Sequence, residues 1–334
     1  MITLGQIGVG EWGRNLLRAF LSISTCHVKK FYDQNPRLCE NISTQYNRRV
    51  ELAQSSQEIC EDSDIDAVII ATPPVTHAEL AIQALSLNKH VFVEKPLALN
   101  LNDALKMIEL AKSKERILMV GHLMLYHPAV RKLKSYIDEG RLGDIHYLYS
   151  TRVNLGRIRE MENALWSLTA HDISVAMYLL NKIPIEVSAV GKSYLQEHIQ
   201  DVVFVTLNFD NNVMSHTHAS WLDPHKIRQF TVVGSKMMAV FNDMESTEKI
   251  RLYDKGVNRK KEGDESSLFS IRDGDIYIPK TDMTPPLMLE CHHFLNCISQ
   301  KRSALSDEEN GLSVLKVLDA AHKSLQLNGK SIKI

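Results

Sequence analysis

Ile2-Thr3-Leu4-Gly5-Gln6-Ile7-Gly8-Val9-Gly10-Glu11-Trp12-Gly13-Arg14 stands at the start of the chain, and its reading decides the fold. The apolar run Ile2–Val9 reads as a strand and Trp12–Leu21 as an amphipathic helix, with glycines 8, 10 and 13 in the turn between them. A lone G-x-G-x-x-G says little. Between a strand and a helix, however, it aims the backbone N–H groups near Glu11, Trp12 and Gly13 at an anion, as a dinucleotide pyrophosphate requires. Asp33 lies 20 residues after Gly13, at the end of the second apolar run. It is placed to accept hydrogen bonds from the adenosine ribose, and its charge would repel a 2′-phosphate. That favours NAD over NADP, although Arg37 could partly offset the repulsion. The competing reading has Asp33 capping the helix that begins at Pro36.

Working outward, Ile2–Val9, His27–Tyr32, Ala67–Ala71, His90–Val93 and Ile117–Val120 read as parallel strands. Helices are expected between them at Trp12–Leu21, Pro36–Gln45, His77–Ser86 and Asn102–Ser113, the alternation of βαβ units. Beyond Gly121 the pattern changes. A helix near Pro128–Asp138 precedes period-two runs at Ile145–Asn154, Glu186–Val190, Val202–Phe209, Val213–Trp221 and Gln229–Val233, as in an antiparallel sheet with one covered face. The expected architecture is α/β: a doubly wound, Rossmann-type nucleotide-binding domain over residues 1–121, then an α+β domain over 122–334 for substrate binding. The last helical pattern, Leu312–Leu327, is expected to pack back on the first domain, and Lys255–Ser267 reads as a solvated loop.

A chain of 334 residues exceeds what one hydrophobic core usually serves. Lys+Arg number 39 against Asp+Glu 40 without a basic block, so nucleic acid is not an expected partner. No leader pattern and no apolar run of membrane-spanning length are evident, which leads to the expectation of a cytoplasmic protein with no membrane partner. Cys26, Cys39, Cys60, Cys291 and Cys297 are scattered and lack a Cys-x-x-Cys pair, against a disulfide framework or structural zinc. His216 and His218 share a strand face without a third ligand, and Cys291, His292 and His293 are adjacent on a helix, so no metal is expected.

The chemistry-bearing candidates are Lys95 and His171. Glu94-Lys95-Pro96 ends the strand His90–Val93, delivering an amine to the carboxyl edge of the nucleotide-binding sheet, where it can hydrogen-bond a substrate hydroxyl and stabilise alkoxide character. His171 begins a helical run with Ser167, Ser174, Val175 and Tyr178 on its face, and imidazole suits proton acceptance. Each also has an ordinary reading, as a surface lysine and a satisfied structural histidine. Thr72-Pro73-Pro74 leaves a loop where a nicotinamide ribose should lie, and His77 is either a ligand contact or a cap. Arg157 and Arg159 carry guanidinium forks that match a diphosphate or carboxylate, or they pair with Glu160 and Glu162.

In this order the glycine turn, Ala71-Thr72-Pro73 with His77, Glu94-Lys95-Pro96, Gly143-Asp144-Ile145 and His171-Asp172-Ile173 resemble the Gfo/Idh/MocA oxidoreductase family over essentially the whole chain. Asn154-Leu155-Gly156-Arg157-Ile158-Arg159, Asn163-Ala164-Leu165-Trp166 and His171-Asp172 look like its nucleotide-sugar branch, similar to enzymes that oxidise C3 of UDP-N-acetylglucosamine or its uronate. The resemblance implies Lys95 and His171 as catalytic residues. It implies a cofactor site of Gly8, Gly10, Glu11, Trp12, Gly13, Asp33, Thr72, Pro73, His77, Glu94 and Lys95 for NAD. Substrate would meet Lys95, Arg157, Asn163, Trp166 and His171, and a homodimer or homotetramer is expected. Many relatives carry Asp four residues before the histidine, where this chain has Ser167, a departure that bears on the basicity of His171. A dehydrogenase of a free sugar or polyol, an NADPH-dependent ketosugar reductase and a non-catalytic NAD-binding sensor remain the alternatives.

Overall fold

The structure, a computed structural model, describes residues 1–46, 49–259 and 268–334. Strand β1 (Ile2–Ile7) enters the glycine turn and helix α1 (Gly13–Leu21), followed by β2 (Cys26–Tyr32), α2 (Pro36–Gln45), β3 (Glu51–Leu52) and α3 (Ser56–Glu61). β4 (Ala67–Ile70), α4 (His77–Ser86), β5 (His90–Glu94), α5 (Leu101–Ser113) and β6 (Leu118–Gly121) complete a parallel sheet of order β3-β2-β1-β4-β5-β6. All four residues of β4 are buried, as expected of a strand covered on both faces. The order reverses direction at β1, so the carboxyl ends of β1 and β4 flank the switch point where α/β sheets bind ligands.

The later residues begin with α6 (Pro128–Asp138), β7 (Ile145–Val153) and α7 (Ala170–Leu180). The strands β8 (Glu186–Lys192), β9 (Val202–Asn208), β10 (Met214–Ser220), β11 (Ile227–Gly234), β12 (Met238–Asn242), β13 (Ile250–Arg259) and β14 (Phe269–Tyr277) follow. Then come α8 (Pro286–Gln300), α9 (Glu308–Gln326) and β15 (Ile332–Lys333). The second sheet runs β14-β13-β12-β11-β7-β10-β9-β8-β15 and is antiparallel except where β10 lies parallel to β7. β9 alternates buried Val203, Val205 and Leu207 with less covered neighbours, the period-two signature of a half-covered sheet. Asn211 and Asn212 both hold positive φ, 58° and 59°, the left-handed geometry that lets so short a turn join β9 to β10.

The chain divides into two compact units, Met1–Tyr126 with Thr284–Lys316, and His127–Met283 with Val317–Ile334. This differs from a single boundary after residue 121, because α8 and the start of α9 belong to the first unit. The cause is aromatic: Phe294 of α8 meets Phe20 of α1 and Phe92 of β5 edge-to-face, at centroid distances of 6.5 and 5.7 Å. Phe20 and Phe92 lie 6.3 Å apart, closing the triangle. Lys255–Arg259, expected in a loop, continue β13 instead. Paired against β14, with Lys255 opposite Asp273, this charged stretch gains its strand from a partner and not from its own apolar content. Residues 260–267 of that expected loop lie outside the described residues. No helix among the described residues is long and apolar enough to cross a membrane.

Phe294→Ala should destabilise the first unit by about 3–5 kcal/mol, since it opens a cavity against two buried rings. Chemical denaturation followed by the binding of a nucleotide would measure it. A loss below about 1 kcal/mol, the range of a tolerated core swap, would show that α8 is not part of that core.

Candidate active site

The glycine turn is built by exclusion. Gly8 has φ +94°, and a Cβ there would lie 2.6 Å from the carbonyl carbon and oxygen of Ala71. At Gly13 a Cβ would fall 2.2 Å from the Gly8 oxygen. Gly10 is different: a Cβ would meet nothing within 4 Å, so its side of the turn is the open cradle that a phosphate needs. Beneath it the buried Gln6 amide donates to the carbonyls of Gly8 and Gly13, at 2.9 and 2.7 Å. Asp33 accepts from the Val9 N–H at 2.8 Å and the Asn35 N–H at 2.9 Å, so its carboxylate is fixed beside the turn. The cap of α2 is Asn35, which accepts from the Arg37 N–H, and the competing reading of Asp33 as the cap is set aside.

Along the neighbouring strand ends, His77 is fully buried, with Nδ1 2.8 Å from the Pro96 oxygen and Nε2 2.9 Å from the Thr72 oxygen. It ties the loops after β4 and β5 together from beneath. Thr72 also accepts from the Thr76 hydroxyl at 2.7 Å, while Pro73 is exposed at the start of a single 3₁₀ turn, as Glu11 is exposed in the glycine turn. The Trp12 indole N–H donates to Glu94 Oε1 at 2.5 Å, joining motifs 82 residues apart in the chain. The Lys95 N–H donates to Glu94 Oε2 at 3.3 Å, and the Lys95–Pro96 peptide is cis.

Glu94 retains some exposure as a residue, yet its carboxyl group is enclosed. Burial pushes it up to about 7 against the opposing pull of the Trp12 bond and the Lys95 charge. Glu290 of α8 is fully buried with neither carboxyl oxygen hydrogen-bonded, and burial followed by the Glu94 charge holds it well above the usual carboxylate range. His122, just past β6, is likewise buried, and burial plus the Lys95 charge lower it to about 3. Sequence reasoning named Trp12 and Glu94 separately but gave no sign of their bond, and it missed Glu290 and His122 altogether.

In the second unit, residues 154–163 form an irregular loop after β7, and its backbone is pinned. Asn154 N–H donates to the Ser220 oxygen at 3.1 Å, Gly156 N–H to the Trp221 oxygen at 3.3 Å, and Ala164 N–H to the Gln200 oxygen at 2.8 Å. Gln196 Nε2 donates to the Arg159 oxygen at 2.9 Å. The buried Asn163 side chain accepts from the Trp166 N–H at 3.2 Å and donates to Gln200 Oε1 at 2.7 Å, so its amide is spent on closing the loop. Arg157 and Arg159 are exposed, and Trp166 packs edge-on against His322 at 6.3 Å between centroids. Leu165–Thr169 form a π-helical turn directly before α7, a local irregularity that recurs at functional sites. His171 sits in the first turn of α7 and Ser167, buried, in the π turn before it. Behind His171, Asp172 is gripped by Arg152 of β7, with Nε to Oδ2 at 2.6 Å and Nη2 to Oδ1 at 3.4 Å. Both are buried, so this pair fixes the start of the helix to the sheet.

Among the described residues no group of three or more His, Cys, Asp or Glu side chains could hold a metal ion. His216 and His218 share a face of β10 and stack on Phe204.

Residues 2–122 match the model of the oxidoreductase family with an NAD-binding Rossmann fold, and residues 130–240 match the Gfo/Idh/MocA C-terminal domain. The chain belongs to the Gfo/Idh/MocA family. Its amino-terminal portion is accordingly the NAD-binding Rossmann domain of that family, and the open side of Gly10 with Asp33 beside it fits such a cofactor. The chain is 25% identical to UDP-N-acetylglucosamine 3-dehydrogenase of Acidithiobacillus ferrooxidans over 93% of each protein. A solved structure of that enzyme covers 98% of both chains with a TM-score of 0.83 at 22% identity, a likeness of fold. An NAD(+)-dependent scyllo-inositol 2-dehydrogenase of Bacillus subtilis is 28% identical over 84% of this chain and 81% of its own. An oxidoreductase of Streptococcus pneumoniae is 29% identical over 63% of this chain, which spans only 60% of that relative's length.

Two backbone amides hold the Asp33 carboxylate in place, so at an adenosine ribose site it would repel a 2′-phosphate. NAD(H) should therefore bind at least about tenfold more tightly than NADP(H), or about 1.4 kcal/mol. Fluorescence titration measures this directly. Equal or reversed affinities would remove Asp33 from the ribose site.

Proposed function

We propose that this family member oxidises a secondary hydroxyl of a sugar with NAD, at C3 of a UDP-N-acetyl-hexosamine or its uronate. The observation that carries the reading is the main-chain-pinned loop 154–163, which presents the exposed Arg157 beside Gly156 at the end of β7. A guanidinium held on a fixed backbone supplies the planar fork that a diphosphate or uronate carboxylate needs. Similarity to the UDP-N-acetylglucosamine 3-dehydrogenase over 93% of the chain supports the same choice.

In this reading Gly8, Gly10, Glu11, Trp12 and Gly13 hold the pyrophosphate, Asp33 the adenosine ribose, and Thr72, Pro73 and Glu94 the nicotinamide end, with His77 bracing the loop. NAD, when bound, supplies the acceptor for the electron pair leaving the carbinol carbon. His171 accepts the hydroxyl proton. Lys95 donates a hydrogen bond to the same oxygen and stabilises its developing negative charge. Trp166 offers an apolar wall to the sugar, and Asn163 contributes by holding the loop. The five cysteines are free and buried, which supports a cytoplasmic location, and a homodimer or homotetramer is the proposed assembly. A second reading, a dehydrogenase of a free sugar or polyol, is supported by the similarity to the inositol 2-dehydrogenase.

Kinetics on a panel of nucleotide sugars, free sugars and inositols separate the two. Arg157→Lys keeps the charge and loses the fork, so KM for the nucleotide sugar should rise about tenfold with a smaller change in kcat. A wild-type preference for free sugars, or one that Arg157→Lys leaves unmoved, would overturn the nucleotide-sugar reading in favour of the second. Lys95→Ala and His171→Ala should each lower kcat by about 10²-fold or more while NAD affinity stays within a few-fold. Near wild-type turnover in either variant would remove that residue from the chemistry.

A further inference from the structure

Glu94, proposed at the nicotinamide end, carries a charge that proton transfer to and from substrate does not use. Glu94 ends β5, carries the Trp12 indole on one oxygen and the Lys95 N–H on the other, and lies against Gly121, where a Cβ would stand 3.0 Å from both oxygens. The strand order places it. With adenosine at the end of β2 and pyrophosphate at the end of β1, an extended dinucleotide carries its nicotinamide over the ends of β4 and β5. Trp12 belongs to the pyrophosphate turn, so the carboxylate is one side chain away from it.

We propose that the Glu94 carboxylate reads the charge of the nicotinamide ring, binding the oxidised cofactor more tightly than the reduced one and exchanging a proton with solvent as that charge changes. The inference rests on the cofactor part of the proposed function and on Glu94 standing at its nicotinamide end; it does not depend on the sugar. The ring is a cation when oxidised and neutral when reduced. A carboxylate beside the ring attracts it in the oxidised form, and that attraction is lost on reduction.

Among the described residues, the groups that bear on the charge of Glu94 come from α8, from beyond β6, from Trp12 and from Lys95 beside it. From α8 come Glu290 and Cys291, both held well above their ordinary values, by burial first and by neighbouring negative charge second. His122, beyond β6 and near Lys95, is neutral because burial lowers it to about 3. Trp12 contributes a neutral donor. Glu94 itself, pushed up to about 7 by burial, is mostly protonated at pH 6 and mostly ionised at pH 8. A cation placed beside it lowers that value, so oxidised cofactor displaces a proton near neutrality and reduced cofactor does not.

The test is calorimetric titration of the whole chain with NAD+ and with NADH, without substrate, at pH 6 and pH 8. The ratio of the NADH to the NAD+ dissociation constant should rise about fivefold over that interval, the swing expected if a nearby charge is worth about tenfold in affinity. Glu94→Gln keeps the acceptor for Trp12 and removes the charge, so its ratio should stay near the wild-type value at pH 6 at both pH values. Wild-type protein titrated at pH 7 in two buffers of different ionisation enthalpy should release protons with NAD+ and none with NADH. A wild-type ratio that does not move with pH, an unchanged pH response in Glu94→Gln, or absence of proton release with NAD+ would each overturn the inference. Failure to turn over any nucleotide sugar, with these titrations as expected, would remove the substrate reading alone.

Discussion

One buried amide organises the first unit. Gln6 donates both of its N–H bonds to the carbonyls of Gly8 and Gly13, so the two ends of the nucleotide turn are held by one side chain on the strand beneath them. Gly8 must lack a Cβ because Ala71 presses against it, and Gly13 because Gly8 does. From this turn Trp12 reaches the end of β5, where its indole N–H donates to Glu94. Asp33 joins the same assembly through the Val9 N–H. Trp12, Asp33, Ala71 and Glu94 are thus linked through one turn, although they stand at the ends of four different strands.

The second unit relies on a different kind of constraint. Arg152 and Asp172 are both buried, and in such a pair the cost of removing two charges from water roughly cancels their attraction, so the pair says little about net stability. Its value is positional. Losing one member would strand the other charge, at a cost of about 3–5 kcal/mol, so the beginning of α7 cannot drift from β7 without a severe penalty. His171 occupies the residue next to Asp172 and inherits that fixity.

What was legible in the sequence was what local chemistry decides. Strands β1, β2, β4, β5 and β6 were readable because each carries apolar residues in a short segment between turn residues. Less was readable where a partner decides. The charged Lys255–Arg259 stretch becomes strand only by pairing with β14, and the short β3 and α3 carry too few residues to show a period. Phe294 gives no local hint that it completes a core begun by Phe20, more than 270 residues earlier. At the site, Asn163 reads as a polar residue poised for a ligand, and only its two bonds reveal that its amide is already engaged. Glu290 and His122 escaped notice because burial, not sequence context, gives them their character.

The way loop 154–163 is fastened has an evolutionary corollary. Its ties are made through main-chain groups at Asn154, Gly156, Arg159 and Ala164 and through the amide of Asn163. These ties do not depend on which side chains stand between those points, and they are separate from the Arg152–Asp172 pair at the start of α7. Such a segment keeps its course through its main chain, so its outward-facing chemistry can be rewritten one codon at a time while the scaffold beneath it stays as it is.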